Sequence, residues 1–231
     1  MNAESRRKIE TGTRALEFSR AHPDTEPTMT ATVAKLEQLL ARASETATVQ
    51  RDGFVHVRAA AERKQALERQ MRAGPIAHLA EVGRAAAREE HELGKTFTFR
   101  PGASTSFAFR TAARSMAAAA EAHREVLLKY GLSQSVLDEF IVMLDQFDAA
   151  VVLGHEGRTA HVGATRELGA LATEIVRTVR VMDARNRQRF ADQEQLLGSW
   201  ISASKVLGTP PRSGAQPEGG TPAGGEVRPA A

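Results

Sequence analysis

Five arginines fall within residues 176–190, VRTVRVMDARNRQRF, set among valines, a methionine and a closing phenylalanine. A guanidinium matches the geometry of a phosphate, so arginines spaced along one helix face could track a nucleic-acid backbone. On a helix turning about 100° per residue, Leu168, Leu171, Ile175, Val179 and Met182 share one side. Arg166, Arg177, Arg180 and Arg187 form a stripe on the opposite side, and Arg185 and Arg189 lie elsewhere. The stripe is the candidate phosphate-contacting set, with the basic SRRK arm at 5–8 as a possible helper. No aromatic residue interleaves it for base stacking, and no nucleic-acid recognition module is identifiable. The expectation is a solvated helix face, with nucleic acid a disfavoured partner.

The histidines offer a second chemistry. A di-iron carboxylate bundle needs Glu-x-x-His, because residues three apart share a helix face. None of the seven histidines has a glutamate three positions before it, and His155-Glu156 continues Gly-Arg-Thr, so HExxH is absent too. No protein metal site and no cofactor are expected. His123 and His161 nevertheless fall on apolar faces and, with Tyr130 and Asn186, outline a candidate pocket for a small molecule. The competing expectation is two core histidines, each hydrogen-bonded to a neighbour.

Nucleophilic chemistry has little support. GASTS at 102–106 resembles a nucleophile elbow only loosely, lacking its final glycine and a preceding strand. There is no Walker A loop and no G-x-G-x-x-G. Asp138, Glu139, Asp145 and Asp148 read as a solvated helix face, with Asp148 alone bordering the core side. The chain is expected not to be an enzyme.

Composition limits what could hold such groups. The 231 residues are 42% hydrophobic but only 5% aromatic, so Ala, Leu, Val and Met must fill the core. That balance favours helix, because Ala, Leu, Arg and Glu lose little on entering one. Cysteine is absent, which excludes disulfides and thiolate metal sites. The net charge of +3 is ordinary for this length, so any basic function must come from a local patch. The N-terminus has a basic cluster without an apolar stretch after it and does not read as a signal peptide. The most apolar long window, residues 136–154, is broken by four acidic side chains. A soluble, cytoplasmic protein with no membrane contact is expected.

Periodicity then places the elements. RALEFSRAH (14–22) suggests a short helix ended by Pro23, inside a partly ordered arm spanning 1–24. From Met29, residues Leu36, Ala43, Gln50, Val57, Lys64 and Met71 follow at sevens. Val33, Leu40, Ala47, Phe54, Ala61 and Glu68 form a companion phase. Because a turn would usually reset that phase, one helix through Gly53 is favoured over two. Gly74-Pro75 marks the next boundary, followed by a helix to about Gly94. Residues 95–109 read as an extended loop feeding a helix start at 104–106. A helix then runs from Phe109 to Tyr130 and stops at Gly131, with Leu132 after it. Ser133 caps another, along which Phe140, Phe147, Gly154, His161, Leu168, Ile175 and Met182 repeat at sevens, as one long helix or two co-axial ones. Residues 192–207 form a last short helix that folds back as a lid, and the Pro/Gly-rich tail at 208–231 is expected to be disordered.

The fold class that follows is all-α: an antiparallel helical bundle of five to seven helices over 25–207. Sustained heptads, alanine-rich faces and missing catalytic constellations point to a protein acting by protein–protein contact, with another protein or with itself as a homodimer. A nucleic-acid-associated bundle and a small-molecule-binding bundle are the alternatives.

Overall fold

Heptad spacing runs through the glycines at both places where a break could fall, and both helices run through with it. The computed structural model describes residues 1–101 and 105–206. In chain order these form α1 (Ala3–Ala21), α2 (Pro27–Met71), α3 (Ala77–Ala86), α4 (Leu93–Thr96), α5 (Ser106–Ala122), α6 (Arg124–Lys129), α7 (Gln134–Arg189) and α8 (Glu194–Ser204). No strand occurs among the described residues. Leaving aside the one-turn α4 and the six-residue α6, six helices build the bundle. The tail reading at 208–231 lies outside the described residues, as does most of GASTS.

The 45-residue α2 begins at Pro27, where a missing N–H costs nothing, and the Glu26 carboxylate accepts from the Met29 amide at 2.9 Å. It passes Gly53 without interruption. The 56-residue α7 likewise passes Gly154, Gly157 and Gly163. The two run antiparallel: Lys35 meets Glu174, Arg42 meets Glu167, and Arg63 meets Gln146, so partner numbers fall on α7 as they climb on α2.

Several boundaries differ from those expected. The chain does not stop at Gly74-Pro75: Arg72–Ile76 form a π-helical turn that carries the helix into α3. Proline has no N–H for the regular ladder, and the wider turn absorbs it. The N-terminal arm is helical from Ala3, because the Asn2 side chain accepts from the Ser5 amide at 2.7 Å. This α1 buries Thr11, Gly12, Ala15 and Leu16. Gly12 sits so close to α7 that a Cβ there would lie 2.4 Å from Ile175 Cγ2.

The helix expected over Phe109–Tyr130 is divided at His123 into α5 and α6. Thr105 caps α5, its hydroxyl accepting from the Ala108 amide at 3.1 Å. Gly131 adopts a φ of +98° and closes a paired cap, with Leu132 N–H donating to the Leu127 carbonyl and Gly131 N–H to that of Leu128. Ser133 precedes α7, but its hydroxyl lies 2.6 Å from that of Ser135 and makes no cap bond to the backbone.

Two separate cores result, one at each end of the α2/α7 pair. One gathers Ala15, Leu16, Met29, Leu36, Ile175, Val179, Met182 and Trp200 from α1, α2, α7 and α8. The other gathers Leu67, Met71, Leu79, Phe97, Phe109, Leu127, Phe140 and Phe147 from the remaining helices and the opposite ends of the long pair. Each fully buried side chain of this size contributes about 1.5–3 kcal/mol. Trp200 closes the first core: it is fully buried, and its indole N–H donates to Asp183 at 2.8 Å.

Between the cores the helices touch through backbone. A Cβ on Gly53 would lie 2.7 Å from the Gly157 carbonyl oxygen and 2.8 Å from the His161 nitrogen; one on Gly157 would lie 2.8 Å from the Gly53 oxygen. Gly53→Ala should therefore force the helices apart, at a cost of about 1–3 kcal/mol from overpacking, which outweighs the roughly 1 kcal/mol gained in helix propensity. Gly163 has nothing within 4 Å of its Cβ position, so Gly163→Ala should keep that gain. Thermal unfolding of the two variants should move in opposite directions, and a rise in both would show that the glycine contact is not tight.

Candidate functional site

The arginines of the 176–190 stretch divide into two groups with different work. Arg185 and Arg189 hold the turn between α1 and α2. Arg185 Nε reaches Asp24 at 3.2 Å, and Arg189 donates to the backbone carbonyls of His22 and Pro23 at 3.0 and 2.8 Å. Asp24 is 10% exposed and also accepts from the Glu26 amide. That backbone donor first, and then the guanidiniums of Arg185 and Arg189, hold its carboxyl below the ordinary 3.8, against the opposing effect of burial.

The stripe itself is exposed at all four positions, Arg166, Arg177, Arg180 and Arg187. Arg177 pairs with Glu174 at 3.6 Å and Arg187 with Asp183 at 2.8 Å, both along their own helix. Arg166 and Arg180 have no ion-pair partner among the described residues. Arg180 and Arg187, with Lys205, Val179 and Ile201, line a cleft of about 430 Å³ between α7 and α8.

The candidate pocket residues are distributed along the whole molecule. His123 and Tyr130 each reach one residue of the turn after α3. His123 Nδ1 is 3.6 Å from the Glu90 carboxylate, and the Tyr130 hydroxyl donates to Glu89 at 3.1 Å. That hydrogen bond, with some desolvation, raises the Tyr130 phenol above its usual value. His161 lies between the two cores, and Asn186 is buried at the far end of α7. The structure does not gather the four around one cavity. Among the described residues, no three His, Asp or Glu side chains converge as a metal site would require, and no helix is long and apolar enough to cross a membrane.

The acidic residues of α7 lie where expected, Asp138, Glu139 and Asp145 exposed and Asp148 half-buried at the core border, and two of them also form a docking seam. Asp145 takes Arg114, and Asp148 takes both Arg110 and Arg114, at 2.6 to 2.9 Å. These pairs fasten α5 to α7, so the aspartates are where one helix docks on another, while Asp138 and Glu139 remain exposed.

The waist between the cores is built inside out. Over about 30–35 Å of helix, from Ala43 to Leu67 on α2 and from Phe147 to Leu168 on α7, the buried residues are Thr46, Gln50, Gly53 and Ala60, with Ala150, Gly157 and Ala164. None is larger than glutamine. On the outside of the same stretch, Val49, Phe54, Val55 and Val152 keep half or more of their surface in water, and Leu153 and Val162 are exposed too. Small side chains inside let the helices approach, and the large apolar ones have nowhere to go but outward.

A polar layer fixes this region. Gln50 is buried; its amide N–H donates to Thr165 Oγ1 at 2.6 Å, and its side-chain oxygen accepts from the Met1 amino group at 2.5 Å. His161 Nδ1 lies 2.9 Å from the Gln50 backbone carbonyl. A carbonyl only accepts, so Nδ1 carries the proton and donates. With these groups satisfied, the layer opposes sliding of α2 along α7.

Phe54, Val49 and Leu153 are the exposed residues that sequence reasoning misplaced or passed over. The heptad spacing puts Phe54 in a companion phase lying four residues after the first. The companion that is buried through the waist lies three residues after it, at Thr46, Gly53, Ala60 and Leu67. The chain matches no family model, no curated protein and no solved structure.

Two outcomes test these assignments. Changing Arg177, Arg180 and Arg187 together to Gln should leave folding within about ±0.5 kcal/mol per site and should change no duplex-DNA binding in physiological salt. Sub-micromolar binding by the parent that the triple variant loses would restore the phosphate-tracking role. Asp24→Asn should lower the melting temperature at pH 7. A carboxyl with a depressed folded value contributes its stability above its unfolded value and loses it as pH falls through the folded one. The gap between parent and Asp24→Asn should therefore narrow as melts are taken below about pH 4; a gap constant down to pH 2 would assign the loss to packing.

Proposed function

We propose that this protein is a non-enzymatic helical bundle of the cytoplasm that acts by protein–protein contact through its waist. One observation carries the reading: the waist keeps its largest apolar side chains outside and its smallest inside. Monomeric surfaces rarely gather exposed apolar side chains over one continuous stretch unless they meet something. Aromatic and arginine side chains dominate binding hot spots, and Phe54 at 58% exposure is flanked by Arg51 and Arg58 on its own helix. The two end cores support this role by holding a two-helix span open between them.

Nucleic-acid association through the arginine stripe is the second reading, favoured only by the unpaired Arg166 and Arg180. The small-molecule reading has less behind it, because its four residues do not share a cavity.

A photo-crosslinking amino acid placed singly at Phe54 or Leu153, in cells making the full chain, should give discrete cross-linked adducts. The same group at Ala118, exposed on α5, should give none. Absence of adducts at both waist positions, or equal labelling at Ala118, would remove the waist as a contact surface.

A further inference from the structure

We propose that the waist binds a second copy of this chain, the arginine–phenylalanine face of one copy seating on the carboxylate face of the next. The proposal deepens the protein-contact reading and rests on it. The faces are defined by position relative to the paired glycines, Gly53 and Gly157. On a helix, residues one and five places after a reference position, and two before it, turn to one side; residues one and four places before it turn to the other. In an antiparallel pair centred on those glycines, equal offsets from either one fall on the same face.

One face thus carries Phe54, Arg51 and Arg58 from α2, with Arg158, Val162 and His155 from α7, all exposed. None of these six is acidic. Arg51 and Arg158 have no ion-pair partner among the described residues, and Arg58 pairs only with Glu62 of its own helix. The opposite face carries Val49 and Asp52 from α2 and Leu153 and Glu156 from α7, with Glu45 two turns before Asp52. Glu45, Asp52 and Glu156 have no ion-pair partner among the described residues. Each face is apolar in the middle with charge around it, the usual plan of a protein interface.

Charge decides how copies can meet. Pairing like faces sets arginine against arginine or carboxylate against carboxylate. Pairing unlike faces sets three carboxylates against arginines and lays Val49 and Leu153 on Phe54 and Val162. Complementary charge selects the second arrangement and disfavours the first. The available width agrees with it. On the Phe54 face, α1 covers α7 as far as Thr165, where Met1 and Gln50 meet, and α5 begins one turn before its Arg110 reaches Asp148. Among the described residues, about 20 Å of helix lies bare between them, the width of a helix pair with axes 8–10 Å apart. A second waist crossing this one fits that opening. The contact is heterologous, so each copy presents one donor face and one acceptor face, and assembly propagates unless it closes into a ring.

The test uses the full chain in light scattering and sedimentation across concentration and salt. The parent should exceed twice the 24.9 kDa chain mass at high concentration and return to monomer as salt rises. Phe54→Asp disables one face and Leu153→Arg the other, so each variant alone should be monomeric while keeping the parent's helical circular dichroism. Mixed one to one, they should form a complex of two chains and nothing larger, because each retains the face the other needs. If either variant unfolds, the charge reversals Arg51→Glu with Arg158→Glu, and Asp52→Lys with Glu156→Lys, serve as the pair. A parent that stays monomeric, a mixture that stays monomeric, or a single variant that dimerises would overturn the proposal. Adducts to a different protein from positions 54 and 153, with a monomeric parent, would defeat self-assembly and leave the contact reading standing.

Discussion

Backbone-to-backbone contact at Gly53 and Gly157 is the constraint on which the rest of the molecule depends. Two helices of 45 and 56 residues can lie against each other only along a seam of fitting side chains, and here the seam narrows to no side chain at all. That contact fixes the distance between the helices and, with the Gln50–Thr165 and His161–Gln50 hydrogen bonds beside it, their register. Once register is set, the ion pairs Lys35–Glu174 and Arg42–Glu167 follow from it. Exposed pairs of this kind are worth little individually. They record the alignment more than they enforce it.

The same constraint explains where large residues went. A seam of Thr46, Gly53, Ala60, Ala150, Gly157 and Ala164 buries little apolar surface, so hydrophobic stabilisation is concentrated in the two end cores. Helices α1 and α8 supply one core, and α3 to α6 the other. In each, a hydrogen bond or ion pair anchors the added helix to α7: Trp200 to Asp183 at one end, Arg110 and Arg114 to Asp145 and Asp148 at the other.

Much of this architecture was legible in the sequence. Continuity of α2 follows from a phase that never resets, and the end of α6 from Gly131 followed by Leu132; the same unbroken phase on α7 fits one helix or two co-axial ones, and the structure has one. What was not legible had physical causes. Glycine and threonine do not register as core residues, whereas phenylalanine does; the pattern therefore favoured Phe54 over Gly53 by one position, which turns the face outward. Pro75 reads as a stop because a regular ladder cannot take it, and nothing local announces a π turn. Only the second half of the first helix, at 14–22, is legible; its first half is hidden behind basic residues, since its burial depends on Gly12 meeting Ile175 from a distant part of the chain. The candidate pocket failed to assemble for a related reason. Seven-residue spacing tells which side of a helix a residue faces, not how far along an antiparallel pair it lies, and His161 and Asn186 are separated along α7 by about 38 Å.

The two cores share no side chains; only the long helices join them. Cooperativity in a small domain comes from contacts that cannot be lost piecemeal, and the stretch between Ala43 and Leu67 has few such contacts to lose. Melting at one end removes support from the other only through helix continuity and the glycine seam. The molecule is thus built as two cores on a common shaft, and whatever couples their unfolding has to pass along the two long helices and the seam between them.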